Sequence, residues 1–453
     1  MSLSGSGPIR AGAAWRVITP DLSAGTPPRM AGFGPGKDAT GVHDDLFARA
    51  LVLEVGDASV AIVALDLIGF FHDDVVRIRQ EIRARHPEVR AGYVMVCSTH
   101  THAGPDVIGL WTPAGVPLDA GYVARIRTQA ADAVAEAWRR RRPARLSFAS
   151  VQLPELVHDS RLPEVIDSTA LMMKVDSEGG RKTIAALVNF ASHPESLGRG
   201  NKFFSSDYPG ATRRALEDEF GGVAIFTSGA IGGLLTPLGV GLIEPSNGEA
   251  TPERRFEMTQ AYGERLARAL IAAWRTPAGE TDTGPRFVEQ ASLDVRAGAL
   301  RVPLENARFS QGLSEGRIRP REVADDGTLT SEAAVVTLRD AAVGPPLARL
   351  ACVPGEIYPE LVLGGIQEPQ DPGADFPGAP AEKPLGPMLG ARHRFIVGLC
   401  NDELGYIIPM SQWDEKPPFA YGRDGPQYGE MNSAGPRVAP LLLRTFEEIL
   451  SRP

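Results

Sequence analysis

The chain has 453 residues, and 43% of them are hydrophobic, which is enough for a substantial core in one large domain or two ordinary ones. Its formal net charge of −9 provides no basic surface for nucleic acid, and no apolar window approaches the roughly 20 residues that cross a bilayer. The N-terminus also lacks the apolar centre of a signal peptide. We therefore expect a cytoplasmic protein, or a secreted one if a leader has been removed, whose partner is a small molecule.

Apolar runs and amphipathic patterns alternate along the chain. Short apolar runs predict buried strands at residues 50–56, 59–69, 93–98, 183–191, 223–229, 347–354 and 394–400. Helical periodicity predicts helices at residues 73–85, 122–141, 209–220 and 256–274. This alternation predicts an α/β protein with a central, mixed, largely buried β-sheet flanked by helices.

Composition suggests how the chain is divided. A Pro- and Gly-containing stretch at 276–285 separates two halves, roughly 1–280 and 281–453. Residues 365–391 are so rich in Pro, Gly and Ala that we expect a loop insertion without regular structure. Because candidate site residues occur in both halves, we expect residues 1–453 to form a single catalytic unit.

Polar residues follow five of the predicted strands. The first such strand ends at His100 and His102, and the others end at His193, near Thr236, at Glu356 and near Tyr406. In α/β sheets, functional groups collect at the carboxyl ends of strands, where loops present side chains over a rigid platform. We expect the active site at this edge.

Three histidines and one glutamate at such an edge are suitable ligands for zinc, which accepts imidazole and carboxylate and keeps one position open for water in catalytic sites. Two alternatives remain open from spacing alone. Each histidine could instead cap a strand, and ligand softness also permits iron or manganese. The spacing does not distinguish the ligand from the non-ligand within the pair His100 and His102.

Several stretches together resemble the neutral, non-lysosomal ceramidase family of zinc amidohydrolases, which cleave the amide of N-acylsphingosines. THTHAGPD at 99–106 is similar to the THTHSGP signature of the family, and NFASHPES at 189–196 is similar to its second histidine motif. SSDYPG at 205–210, CVPGE at 352–356 and NDELGYIIP at 401–409 follow in the family's order. The resemblance implies a hydrolase in lipid metabolism.

Carried over to this chain, the resemblance implies that zinc is bound by His100, His193, Glu356 and Tyr406. His102 then faces the substrate and shuttles a proton, and Tyr406 is also a candidate hydrogen-bond donor to the tetrahedral intermediate. Arg161, in the stretch HDSRLP, is implied to contact the substrate and stabilise the oxyanion. The implied mechanism is zinc-assisted attack of water on an acyl carbon.

The sequence departs from the family at one catalytic position. Thr236 stands where the family has a serine, so the hydroxyl is kept on a side chain that is stiffer at χ1. We expect the same catalytic role for Thr236 with altered geometry. We also expect no C-terminal β-sandwich domain of the kind that characterised ceramidases carry.

These departures favour a substrate smaller or more soluble than ceramide. The leading hypothesis is hydrolysis of the C–N amide bond of an N-acyl or related small molecule through a metal-activated water. An esterase or lactonase on the same zinc site remains open, since both reactions pass through a tetrahedral oxyanion. A non-catalytic metal-binding relative is the third alternative.

Overall fold

The fold is seen in a computed structural model, which describes residues 1–23, 29–113, 115–242, 253–276, 287–340 and 345–452. Within these ranges the strands are β1 (Ser2–Val17), β2 (Gly41–Val42), β3 (Phe47–Val55), β4 (Ala58–Leu65), β5 (Tyr93–Ser98), β6 (Arg142–Gln152), β7 (His158–Asp159), β8 (Thr169–Ser177), β9 (Thr183–Phe190), β10 (Phe203–Phe204), β11 (Val223–Ser228), β12 (Leu235–Thr236), β13 (Gln290–Pro303), β14 (Thr328–Asp340), β15 (Ala348–Cys352), β16 (Glu356–Ile357), β17 (His393–Val397) and β18 (Tyr406–Ile407). The helices are α1 (His72–Arg85), α2 (Ala120–Arg139), α3 (Asp207–Phe220), α4 (Phe256–Arg275), α5 (Ala307–Ser314), α6 (Glu360–Leu363), α7 (Leu385–Leu389) and α8 (Val438–Ser451).

One mixed sheet of 12 strands organises the structure. Its main path runs β11-β9-β8-β6-β1-β13-β14-β15-β17, and a branch runs from β1 through β3 and β4 to β5. Three neighbouring pairs are parallel: β4 with β5, β9 with β11, and β15 with β17. The long first strand joins the branches, because Ser2–Pro8 pair with β13 whereas Ile9–Val17 pair with β3.

The sheet curves so that strands at different ends of its strand order come into contact. The backbone N–H of Ser98, at the end of β5, donates to the Leu399 carbonyl at 3.1 Å, and that of Asn401 donates to the Val96 carbonyl at 2.7 Å. Strand side chains supply nearly all of the central core, which includes Leu53, Met95, Leu187 and Phe395. The carboxyl ends of β5, β9 and β17 therefore lie at a common edge.

Helices cover the outer faces of the sheet. α1 and α2 pack on β3, β4 and β5, α3 and α4 cover the strands around β9, and α8 packs on β13 and β14. α2 illustrates the local signals, since the Asp119 side chain caps it by accepting from the Tyr122 N–H at 2.9 Å. Its residues Val123, Ile126 and Ala130, spaced three and four apart, face the core.

The predicted fold class is confirmed: the sheet is central, mixed and buried, and helices flank it. All seven predicted strands and all four predicted helices are present. The sequence analysis did not identify β1, β6, β8, β13 or β14. In β1, β6 and β13, Gly, Ala, Ser and charged residues interrupt the apolar runs that mark a buried strand.

The two predicted divisions of the chain have different outcomes. The boundary at 276–285 lies almost entirely outside the described residues. Residues 365–391 contain no strand, but α7 forms within them because Leu385 and Leu389 are buried against the C-terminal core. Among the helices that the structure describes, none is long and apolar enough to cross a membrane.

Candidate metal centre and active site

His100 lies immediately after β5 and is held by a turn. Its backbone N–H donates to the Leu67 carbonyl at 2.9 Å, and its φ of 67° places it in the left-handed region. Its Nδ1 lies 2.6 Å from the Ile68 carbonyl, which can only accept, so Nδ1 carries the proton. The lone pair is therefore on Nε2, which lies 3.4 Å from Oε2 of Glu356.

His193 follows β9 and has the same arrangement. Its backbone N–H and its Nδ1 both lie 2.8 Å from the Leu235 carbonyl, so Nδ1 is again the protonated nitrogen. Nε2 lies 2.9 Å from Oε2 of Glu356. Backbone carbonyls therefore orient both imidazoles, as is usual for histidines that bind metals.

Glu356 and Tyr406 are placed by a small sheet of their own. β16 and β18 pair in parallel so that Glu356 lies opposite Tyr406, and the Glu356 N–H donates to the Gly405 carbonyl at 3.0 Å. Although burial opposes ionisation, His100, His193 and the Tyr406 hydroxyl lower the pKa of the Glu356 carboxyl. Glu356 is therefore a buried carboxylate surrounded by potential co-ligands.

These groups fit a divalent metal ion. In neutral His100 and His193, two lone pairs face one carboxylate oxygen, an arrangement that repels unless a proton or a cation lies between them. Burial lowers the pKa of His100 to about 4, which keeps its imidazole in the neutral form that binds metals. Ligand nitrogens of His100, His102 and His193 also lie within 4.8 Å of one another.

His102 lies beside this group on the same loop. Its backbone N–H donates to the Pro194 carbonyl at 2.8 Å, which joins the two histidine motifs. Burial, together with His100 and His193, lowers the pKa of His102 well below its usual value. Neither ring nitrogen has a hydrogen-bond partner among the described residues. A buried imidazole with two unsatisfied nitrogens indicates a group that acts on something absent from the folded chain.

A glycine fixes the space around His102. Gly32 has a φ of 84°, and a Cβ added there would lie 2.7 Å from Cβ and Cγ of His102. The Phe33 ring packs edge-on at 5.2 Å from the His102 ring. The loop before β2 therefore restricts where the imidazole can lie.

Thr236 reaches the site through Glu195. Its Oγ1 donates to Oε1 of Glu195 at 2.6 Å, while Oε2 of Glu195 lies 3.5 Å from Nδ1 of His102. Thr236 belongs to β12, which pairs with β7. The predicted catalytic hydroxyl thus contacts a carboxylate beside His102.

The guanidinium of Arg161 forms its hydrogen bonds with other residues of the chain. It pairs with Glu430 at 2.6 and 3.0 Å and donates to the carbonyls of Gln412 and Tyr428. Both side chains of the ion pair are only 2% exposed. The described contacts of Arg161 are structural, and its predicted contact with substrate stays a prediction.

A cavity of about 310 Å³ adjoins the candidate metal centre. His100, His102, Glu356 and Tyr406 line it together with apolar side chains from several segments, among them Ile68, Phe71, Leu110, Trp111, Phe309 and Leu313. Of the predicted site residues, Thr236, Arg161 and His193 are not part of this lining in the described chain. The cavity suits the apolar part of a ligand whose polar group reaches the histidines.

Comparisons with known proteins point to one family. Residues 25–235 match the sequence model described as neutral/alkaline non-lysosomal ceramidase, N-terminal. Over these residues the chain is similar to the neutral/alkaline ceramidase family. This match and the shared fold support an amide-bond hydrolase. A comparison with curated protein sequences finds no match.

Solved ceramidase structures share the fold. The neutral ceramidase from Pseudomonas aeruginosa aligns with a TM-score of 0.70 and 18% identity, over 98% of this chain and 74% of that chain. A ceramidase complexed with C2 aligns with a TM-score of 0.69 and 17% identity, over 98% and 75% of the two chains. The ceramidase fold therefore extends across both halves of the chain.

The sequence analysis missed four residues of the site. Glu195 lies in the quoted stretch NFASHPES, two residues after His193, and its carboxylate was an available signal. Gly32 is required by close packing, which a sequence pattern does not show. The cavity residues Phe309 and Leu313 come from α5, whose few apolar residues gave no separate signal.

Proposed function

We propose that this chain is a zinc-dependent amidohydrolase that cleaves the C–N bond of an N-acyl small molecule. The observation that carries the proposal is that Nε2 of His100 and Nε2 of His193 both face Oε2 of Glu356, at 3.4 and 2.9 Å. The chemistry of two imidazoles, one carboxylate and a nearby phenol favours zinc. The similarity to ceramidases supports the amide as the bond that is cleaved.

In this proposal His100, His193, Glu356 and Tyr406 hold the metal. A bound zinc ion supplies Lewis-acid activation of water and of the scissile carbonyl. His102, which lines the cavity with both ring nitrogens unpartnered among described residues, moves a proton between water and the leaving nitrogen. Because site residues come from both halves, we propose one catalytic unit for residues 1–453.

The apolar lining of the cavity supports an acyl or other apolar group in the substrate. Phe71, Trp111, Phe309 and Leu313 offer it surface beside the metal centre. This lining does not require ceramide itself. Because the ceramidase family acts on ceramides, N-acyl compounds are the first substrates to test. A cytoplasmic location remains a prediction from the sequence.

Metal content by elemental analysis tests the proposal. We expect about one zinc per chain in the wild type, loss of zinc in His100→Ala and Glu356→Ala, and retention in His102→Ala, which should lose most turnover. His158→Ala, an exposed histidine outside the cluster, is the matched control. If His102→Ala also loses zinc, His102 is a ligand and its proposed proton-transfer role is wrong.

Matched substrates then separate amide from ester cleavage. N-acyl amides and the corresponding esters with identical acyl groups should be compared on the zinc-loaded protein, with kcat/KM as the measurement. We expect the amides to be hydrolysed in a zinc-dependent way. A wild type that binds no metal when zinc is supplied would overturn the proposal, and hydrolysis of esters alone would favour the esterase alternative.

A further inference from the structure

His102 and Glu195 form an unassigned pair beside the metal centre. The side chains are only 13% and 17% exposed, respectively, and Oε2 of Glu195 lies 3.5 Å from Nδ1 of His102. This distance is slightly long for a hydrogen bond, but such contacts in free enzymes often tighten when substrate binds. The pair is close enough for a small side-chain rotation to form a hydrogen bond.

The other oxygen of Glu195 is already held. Oε1 accepts from the Thr236 hydroxyl at 2.6 Å, and Thr236 is anchored because its strand β12 pairs with β7. Among the described residues, the one ion pair of Glu195 is with His102. Burial raises the pKa of the Glu195 carboxyl, which the charges of His193 and Arg254 and the Thr236 hydroxyl oppose. The carboxylate therefore has one fixed oxygen and one directed at the imidazole.

The His102 ring has little freedom to turn away. Gly32 packs directly against Cβ and Cγ, and Phe33 contacts the ring edge. The ring centroid of His102 lies 4.9 Å from that of His100 and 5.7 Å from that of His193. With Nδ1 near Glu195, the remaining nitrogen Nε2 is the one available to the reacting atoms.

We propose that Glu195 is the positioning residue of His102. Oε2 of Glu195 accepts the Nδ1–H of His102, which selects the tautomer protonated on Nδ1. Nε2 then keeps its lone pair for the reaction. The Thr236 hydroxyl holds the carboxylate in place by donating to its other oxygen, Oε1. The catalytic consequence rests on the proposed hydrolase function. The hydrogen bond and the tautomer do not depend on it.

The substitution Glu195→Gln tests this arrangement sharply. A carboxylate can accept from Thr236 and His102 together, whereas an amide has one accepting oxygen and an NH₂ group that only donates. If the amide oxygen stays with Thr236, the NH₂ faces Nδ1 and favours the tautomer protonated on Nε2. We therefore expect a shift of tautomer without loss of the fold.

The first measurement is ¹⁵N NMR of histidine-labelled protein, assigned through His102→Ala. We expect the Nδ1–H tautomer in the wild type, a shift toward Nε2–H in Glu195→Gln, and a wild-type signal in Thr236→Ser. Thr236→Val, which lacks the hydroxyl, should shift part of the population. Glu178→Gln, at an exposed carboxylate directly after β8, is the control. An unchanged His102 tautomer in Glu195→Gln would overturn the proposal.

The second measurement is a double-mutant cycle on the zinc-loaded protein. We expect Glu195→Gln to lower kcat about 10- to 100-fold with KM changed less than about threefold and zinc content unchanged. Combined with His102→Ala, it should lower kcat no further, because both changes remove one function. Additive losses would contradict positioning through His102. If the tautomer shifts in Glu195→Gln but the wild type hydrolyses nothing, the positioning is supported and the proposed function is refuted.

Discussion

At the scale of single residues, Arg161 has a role that its sequence context did not reveal. The stretch HDSRLP predicts a substrate contact through resemblance, whereas the folded chain gives its guanidinium four hydrogen bonds within the protein. A buried arginine paired with a buried glutamate must be satisfied internally, because an unpaired buried charge is strongly destabilising. The two roles lead to different outcomes when both partners are replaced.

We expect Arg161→Met to lower the free energy of unfolding by about 3–5 kcal/mol, because it leaves Glu430 buried without its cation. The double variant Arg161→Met with Glu430→Met should recover most of this loss and most of the hydrolase activity. Chemical denaturation and kcat/KM measure the two quantities. A double variant that is stable but inactive would show instead that Arg161 acts on the substrate.

How far the site was predictable differs from residue to residue. His100, His193, Glu356 and Tyr406 were implied by short motifs that follow strands, and the structure brings all four together. Glu195 was overlooked because one carboxylate in a loop has many uses, and only its distance from His102 distinguishes it. Motifs identify the proposed metal ligands, whereas their supporting residues depend on packing.

At the scale of elements, α5 is the part of the cavity wall that the sequence did not predict. It is capped by Asn306, whose side chain accepts from the backbone N–H groups of Arg308 and Phe309. Phe309 and Leu313, four residues apart, lie on one face of the helix and line the cavity. This face sets the apolar surface that an acyl chain would meet.

We expect Phe309→Ala to lower kcat/KM more for long N-acyl substrates than for short ones. The lost contact area grows with chain length, and each buried methylene contributes about 0.8 kcal/mol. A series of substrates that differ only in acyl length measures this dependence. Phe287→Ala, at an aromatic that is 41% exposed and stacks on Arg145, is the control and should leave the series unchanged. Equal losses at all lengths would contradict an acyl site along α5.

The strands show why the fold class was predictable and the topology was not. β4, β5 and β11 are buried along their whole length, β9 is buried at all but its first residue, and all four carry apolar runs. β13, by contrast, alternates buried and less buried residues along Gln290–Pro303 and includes charged side chains. Such a strand is defined by the partners it pairs with, and sequence patterns do not specify these partners.

At the scale of the whole molecule, the first residues belong to the central sheet. Ser2–Pro8 pair with β13 over seven residues, and Leu3 packs against the central core. The sequence alone gave this segment no structural role. Its pairing covers one edge of β13, which would otherwise present unpaired backbone groups.

We expect deletion of residues 2–8 to lower the free energy of unfolding by roughly 2 kcal/mol, since full burial of a leucine side chain contributes about 1.5–3 kcal/mol, Leu3 is partly buried, and the pairing with β13 adds backbone hydrogen bonds. The metal centre lies at the carboxyl ends of other strands, so zinc content and activity at 25 °C should be retained. Calorimetry and elemental analysis measure the two effects. An unchanged melting temperature would show that this pairing contributes nothing to stability.

The hydrogen bonds between β5 and the segment after β17 determine when the site forms during folding. Val96 and Ser98 hydrogen-bond to Asn401 and Leu399, about 300 positions further along the chain. Contacts of such high sequence separation form late, because closing the intervening loop has a large entropic cost. In the proposed metal centre, a ribosome-bound nascent chain that has released His100 and His193 but not Tyr406 therefore lacks one ligand. We expect stable metal binding only after the last strands have folded.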